Sequence, residues 1–286
     1  MKAILLILLQ SIIFALIDVF AKVALKTVPV FTFLTLRFAV AAAGAMAVYG
    51  KTFIADMKKA GIKHFILPAL CQGLAINMSN VALNLTAATT YSFVRSAGAL
   101  IPPVILCVFY GRKYKKIDFA LQGSLLAGLY LLTAKGGFNG FGKGEAVAVL
   151  VAVLCALSLV FAADSIDYVH SQTVSAMQIF CGLAISIVFG IFTGSFSKTD
   201  FSAVIDGKII LIILFNGLLG TLVGYSLQNI ALKSASAKVV GIAQCCYPVC
   251  TAIAAFFILD EHLSIAGIAG AVIITACVVV QSVLKD

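Results

Sequence analysis

A chain of 286 residues that is 62% hydrophobic and only 11% charged, with a mean hydropathy of +1.13, leaves a water-soluble fold nowhere to place its apolar surface. One bilayer crossing takes roughly 20 mostly apolar residues, so about ten crossings fill the chain and no sizeable domain fits outside the membrane. The formal net charge of +9 fits lysines and arginines that orient a membrane protein, and no nucleic-acid partner is expected.

The first expected helix covers about residues 3–25. Its start, MKAILLILLQSIIFALIDVF, has a lysine and an apolar run but no small-residue cleavage site, and the run continues past Asp18 and Lys22. It reads as a retained span and not as a signal peptide. After the Val28-Pro29 break a second helix is expected over about 30–49, then a basic loop with Lys51, Lys58, Lys59 and Lys63. A third helix spans about 65–85 and a fourth about 89–110; a second basic loop carries Arg112, Lys113, Lys115 and Lys116, and a fifth helix follows over about 118–134. With the N-terminus inside, both basic loops face the cytoplasm, opposite Lys26, Lys135 and Lys143. The glycine-rich KGGFNGFGKGE, 135–145, reads as a flexible link; it lacks the GxxxxGK[ST] spacing of a phosphate-binding loop. Five further helices are expected near 146–164, 172–192, 208–231, 238–259 and 264–283.

The two halves resemble each other. At an offset of 149, Asn80, Ala82, Leu83 and Ala88 fall on Asn229, Ala231, Leu232 and Ala237, while Arg95 falls on Gln244; at an offset of 141, Ala15, Leu16, Val19, Phe20 and Ala21 fall on Ala156, Leu157, Val160, Phe161 and Ala162. A five-helix unit is odd-numbered, so its second copy enters the membrane from the opposite face. The expected fold is an all-α polytopic membrane protein of ten transmembrane helices, arranged as two inverted five-helix repeats, 1–134 and 146–286, around the 135–145 link.

Ionisable side chains within a bilayer cost about 2.5–3.5 kcal/mol each on insertion scales and need a partner or a wet cavity. Asp18, Lys22, Arg37 and Arg95 are in that position, all roughly 10 Å deep at about 1.5 Å per residue. Asp18 and Lys22, four apart with the acid first, have the spacing of a neutralising pair. Two readings apply to the cations: they line a pocket that takes a carboxylate or phosphate, arginine offering a bidentate fork, or they snorkel and pin helix packing. Gln178 and Gln244 stand at the duplicate positions of Arg37 and Arg95. A second polar stripe joins Gln72, Ser79 and Asn80 to Asn216, Thr221, Tyr225 and Gln228, with Gly217, Gly220 and Gly224 interleaved; interhelical packing and substrate contact are both open to it. Eight cysteines lie in apolar segments, and Cys245, Cys246 and Cys250 have no His or Asp nearby to complete a metal site, so neither a metal nor a cofactor is expected. His64, His170 and His262 fall at loop edges. No nucleophile with a base appears among the helices, so an enzyme is not expected.

Taken together, Lys22 near the end of the first helix, Arg37-Phe38 in the second, NVAL at 80–83 followed by TAATT, the helical Pro102 and LDEHLS at 259–264 resemble the EamA-type ten-helix members of the drug/metabolite transporter superfamily. LDEHLS is similar to that family's LGE-x-LS signature with Asp260 in place of glycine, and in the first half YGRKYK, 110–115, has Arg112 where the acid is expected. The resemblance implies a secondary transporter that moves a small polar metabolite, an amino acid or organic anion, by alternating access. Arg95 and Gln244 would orient the substrate, Lys22, Arg37 and Asp18 would form a charge network, and Gln72, Asn80, Tyr225 and Gln228 would complete the site. Arg95, with Ser92-Phe93 before it and a proline after it, is also similar to the sugar-phosphate and nucleotide-sugar branch, which makes a phosphorylated-solute exchanger the first alternative. A non-transporting membrane scaffold or accessory subunit is the second. The expected location is a bacterial cell membrane with both termini cytoplasmic, and the expected partners are a small-molecule substrate and membrane lipid; no oligomeric state follows from the sequence.

Overall fold

Leucine, alanine and isoleucine runs with few breakers favour helix, and the computed structural model, which describes residues 2–60, 62–98, 101–102, 116–133, 142–259 and 264–283, is built of helices alone among those residues. The longer helices are α1 (Lys2–Ala24), α2 (Val30–Ala60), α3 (Ile66–Leu85), α4 (Ala88–Ala97), α5 (Lys116–Thr133), α6 (Lys143–Ser165), α7 (Ser171–Phe192), α8 (Gly207–Ala231), α9 (Ala237–Ile258) and α10 (Ile265–Val283), with single turns at Ile62–His64 and Phe201–Val204. By length and composition α1, α2, α3, α6, α7, α8 and α9 are long and apolar enough to cross a membrane; α5 and α10 contain shorter apolar stretches, Phe119–Gly128 and Ile265–Val280. The end of the expected fourth helix with Pro103, Arg112, Lys113 and Lys115 of the second basic loop, residues 135–141 of the link and residues 260–263 of LDEHLS lie outside the described residues.

Breaks fall where the chemistry puts them. Pro29, which has no N–H to give, stands just before α2. Asp206 caps α8 by accepting from the backbone N–H of Lys208 at 2.8 Å and of Ile209 at 3.3 Å. Glu145 reaches back to the Gly142 N–H at 3.1 Å, so residues 143–145 of the expected link are the first turn of α6. One boundary differs from expectation: α2 runs on to Ala60. The lysines at 51, 58 and 59 therefore sit on its last turns and not in a loop, since Gly50 alone does not stop a helix and cations near a C-terminus favour it.

The helices pack in reciprocal pairs. α3 lies against α6 and α7, α2 against α7 and the middle of α8, α1 against α8 and α9, α4 against α6 and α9, and α5 against α10. Glycines permit the closest approaches: a Cβ at Gly73 would stand 3.0 Å from the backbone nitrogen of Gly182, and one at Gly217 would stand 2.8 Å from the carbonyl oxygen of Arg37. Outside, Leu5, Ile12, Val48, Leu67, Phe192, Leu211, Phe257 and Ile265 are exposed around the bundle, which suits lipid and not water.

Hydrogen bonds tie the helix ends into two rims. At one rim the Lys22 ammonium near the end of α1 donates to the Thr86 carbonyl after α3 at 2.7 Å, and the Thr86 hydroxyl donates to Glu145 at the start of α6 at 2.6 Å. At the other, Asp56 near the end of α2 accepts from the His170 N–H at 2.9 Å and the Thr173 hydroxyl at 2.6 Å at the start of α7, and Ser165 at the end of α6 donates to the His64 carbonyl before α3. α1 ends at the rim where α6 begins, and α2 ends at the rim where α7 begins; each pair runs in opposite directions.

Candidate functional site

Polar residues in the first helix follow a spacing of four. Gln10, Phe14 and Asp18 share one face of α1, with Ser11 beside it, all buried in an otherwise apolar run. The Asp18 carboxylate accepts a hydrogen bond from the Tyr247 hydroxyl on α9 and faces the Arg95 guanidinium of α4 at 4.0 Å. The guanidinium is packed between two rings, 4.7 Å from the centroid of Tyr247 and 5.5 Å from that of Phe14, a geometry that favours a cation through the ring quadrupoles. Among the described residues no acceptor lies at hydrogen-bond distance from any of its five donors; Asp18 supplies charge at ion-pair range only.

Beside Arg95, three glutamines form an amide knot. Gln244 Nε2 donates to Gln10 Oε1 at 3.2 Å and Gln228 Oε1 at 2.9 Å, and Gln10 Nε2 donates to Gln228 Oε1 and to the Gly224 carbonyl, both at 3.1 Å. The backbone at Gln244 is shaped by Pro248, whose ring excludes the carbonyl four residues before it. That carbonyl instead accepts from the Tyr247 N–H, three residues on, and residues Gln244–Cys246 wind as a 3-10 turn. The turn puts the Gln244 amide and the Tyr247 ring on one side of α9. Between α1, α4, α6 and α9 lies a cavity of about 50 Å³; its polar wall is Gln10, Ser11, Arg95, Ser96 and Gln244, and facing it are small or apolar side chains such as Ala152, Ala156 and Leu159.

A second buried group adjoins the first. Arg37, 1% exposed, donates through Nε to the Thr221 hydroxyl at 2.7 Å, and Thr221 donates to the Asn216 carbonyl five residues back at 3.0 Å. That step of five is the wider π-helical winding of α8 over Asn216–Val223. Arg37 lies within electrostatic reach of Asp18 and Arg95, and with Gln72 it stands beside the buried Tyr225 hydroxyl.

The structure thus gathers Asp18, Arg95, Gln228 and Gln244 at one point and Arg37, Gln72 and Tyr225 next to it. Two expected residues lie elsewhere. Lys22 is at the rim with Thr86, and no ion pair joins it to Asp18, whose carboxylate is taken by Tyr247 and Arg95. Asn80 donates to the Ile76 carbonyl of its own helix at 3.1 Å. Gln10, Ser11, Phe14 and Tyr247 were not singled out from the sequence; the readable signal was an amide in an unbroken apolar run, eight residues before Asp18.

Seven apolar helices enclosing a buried, partly cationic site define a multi-pass integral membrane protein. The family model of the EamA-like transporter family matches residues 1–134 and 142–283, and the chain belongs to that family. It is similar, at 27% identity over 210 residues, to an uncharacterized transporter of Archaeoglobus fulgidus. The match covers 73% of this chain and 62% of that one, so it spans less than two thirds of the relative's length. A solved crystal structure superposes with a TM-score of 0.73 over 98% of this chain and 95% of that chain at 18% identity, a likeness of fold.

Proposed function

We propose that this protein is a secondary transporter of a small polar metabolite, working by alternating access between two inverted five-helix repeats, 1–134 and 146–286, with ten spans in all. The observation that carries the reading is Arg95: a guanidinium deep in the bundle, beside a cavity, with its counter-ion at 4.0 Å and no acceptor at hydrogen-bond distance among the described residues. A charge held that way in a membrane interior is costly as architecture; as a ligand for an anionic group it is preorganised. The antiparallel course of α1 and α6 supports inverted repeats, as do the reciprocal pairings of helices and the two matched segments on either side of residues 135–141. The lysines of α2 cluster at the Asp56 rim, which supports assigning that rim to the cytoplasm.

In this reading Arg95 and Gln244 orient the substrate, Asp18 and Tyr247 hold Arg95 in place, and the rims at Thr86 and Asp56 part in turn. The test is counterflow of metabolites in proteoliposomes. Arg95→Ala is expected to lower flux at least about tenfold, the worth of hydrogen bonds to a charged partner, at unchanged expression. Full flux in that variant removes Arg95 from the mechanism. A wild-type protein that copurifies with a second protein and moves no solute is a scaffold.

A further inference from the structure

We infer that the Arg95 cavity selects a short monocarboxylate, of about two to four carbons, over an amino acid or a phosphorylated solute; this deepens the transport reading above and rests on it. Four observations converge. The first is charge. Asp18, Arg37 and Arg95 are the ionisable side chains of this interior layer among the described residues, and they sum to one positive unit. Lys22 belongs to the Thr86 rim. A monoanion brings the layer to neutrality, a zwitterion leaves it as it was, and a phosphate dianion overshoots it with one guanidinium to hold it.

The second is the set of available partners. An amino acid needs a counter-charge for its ammonium, and an ammonium buried without one is strongly disfavoured. Among the described residues that line the cavity none is a carboxylate. Asp18 is not one of those lining residues, and its Oδ2 already accepts from Tyr247 and faces the guanidinium.

The third is a donor without a partner. Ser11 is 1% exposed, lines the cavity, and its hydroxyl meets no hydrogen-bond partner among the described residues. A buried hydroxyl in that state is destabilising until something bonds it. A carboxylate on the open side of Arg95 supplies the acceptor.

The fourth is size and lining. The wall opposite the polar groups is Ala152, Ala156, Leu159, Gly98 and Gly241, and the volume is about 50 Å³, a fraction of the roughly 150 Å³ that accepts benzene in an engineered apolar cavity. A Cβ at Gly98 would stand 2.8 Å from the Ala152 carbonyl, so the α4 side of this wall is closely packed, whereas one at Gly241 would meet nothing nearer than 3.6 Å. It fits a short hydrocarbon body.

The experiment compares matched probes on the full-length protein, by thermal shift in detergent and by counterflow in proteoliposomes: acetate, propionate, L-lactate and pyruvate against L-alanine, propylamine and inorganic phosphate. L-lactate and L-alanine differ only in hydroxyl against ammonium. At least one of the four monocarboxylates is expected to bind and exchange at least tenfold more tightly than alanine, with propylamine and phosphate weaker still. Ser11→Ala is expected to weaken that binding roughly three- to tenfold with little change in melting temperature. Alanine or phosphate binding as well as the best monocarboxylate overturns the inference and leaves the transport reading standing, as does binding of none of the four when another metabolite exchanges. An unchanged affinity in Ser11→Ala also counts against it. No counterflow by these probes or by a wide metabolite panel overturns the transport reading itself.

Discussion

Arg95 owes its position to neighbours that the chain brings from two other helices. Phe14 and Tyr247 press on its faces, and the Tyr247 hydroxyl holds Asp18 beside it. Tyr247→Phe keeps the ring and deletes only that hydrogen bond. It is expected to cost about 1.5–3 kcal/mol of stability, the range for a bond to a charged group, and to lower flux less than Arg95→Ala does. Thermal denaturation and counterflow on the same preparation check both, and unaltered flux would mean the hydroxyl has no part in placing Asp18. Asp18 and Arg95 were legible in the sequence because a charge in an apolar run needs a reason. Their partnership was not. Asp18 has a cation four residues away in sequence, and local spacing favours Lys22; the fold sends Lys22 to the Thr86 carbonyl instead, because α3 ends at that level. Tyr247 was hidden for a different reason, since one tyrosine next to a helical proline is ordinary until α1 is placed against it.

Helix α8 is where glycine spacing and winding act together. Gly217, Gly220 and Gly224 let α1 and α2 approach so closely that an added Cβ would stand 2.8 Å from the Arg37 carbonyl, 2.7 Å from Ile17 and 2.4 Å from Phe14, respectively. Gly217→Ala meets backbone, which cannot swing aside, and is expected to destabilise by roughly 1–3 kcal/mol as overpacking does. Gly123→Ala on α5, where no atom lies within 4 Å of the new Cβ, is expected to be neutral or stabilising by up to about 1 kcal/mol. Melting temperatures of the two variants in one detergent decide it; equal losses would show that backbone contact at α8 is not what limits stability. The close packing was readable from small residues at helical spacing, and so were most helix positions. The π-helical stretch was not, because an extra residue in a turn leaves no mark in hydropathy, and neither was the length of α2, whose last turns are too polar to read as a span.

At the scale of the whole molecule, two rims with different partners enclose one interior site. If the halves thread oppositely, the N-terminus and the glycine-rich link lie on opposite sides of the membrane. An epitope tag at the N-terminus should be reached only after permeabilisation, and one inserted between Asn139 and Gly140 should be reached on intact cells; both on one side would mean an even number of spans in the first half and no inverted copy. The expectation of a duplication comes from identities that recur at near-constant offsets, whereas the rims were not legible, since Thr86, Glu145, Asp56 and His170 are unremarkable loop-edge residues until helix ends are brought level. If the two halves rock on each other as proposed, the close approach of Gly73 to Gly182 is a natural pivot. Backbone meets backbone there, with the Ile185 side chain alongside, and a lever of ten residues on either arm, about 15 Å long, would convert a tilt of about 10° into nearly 3 Å of travel at its tip, the width of a water molecule.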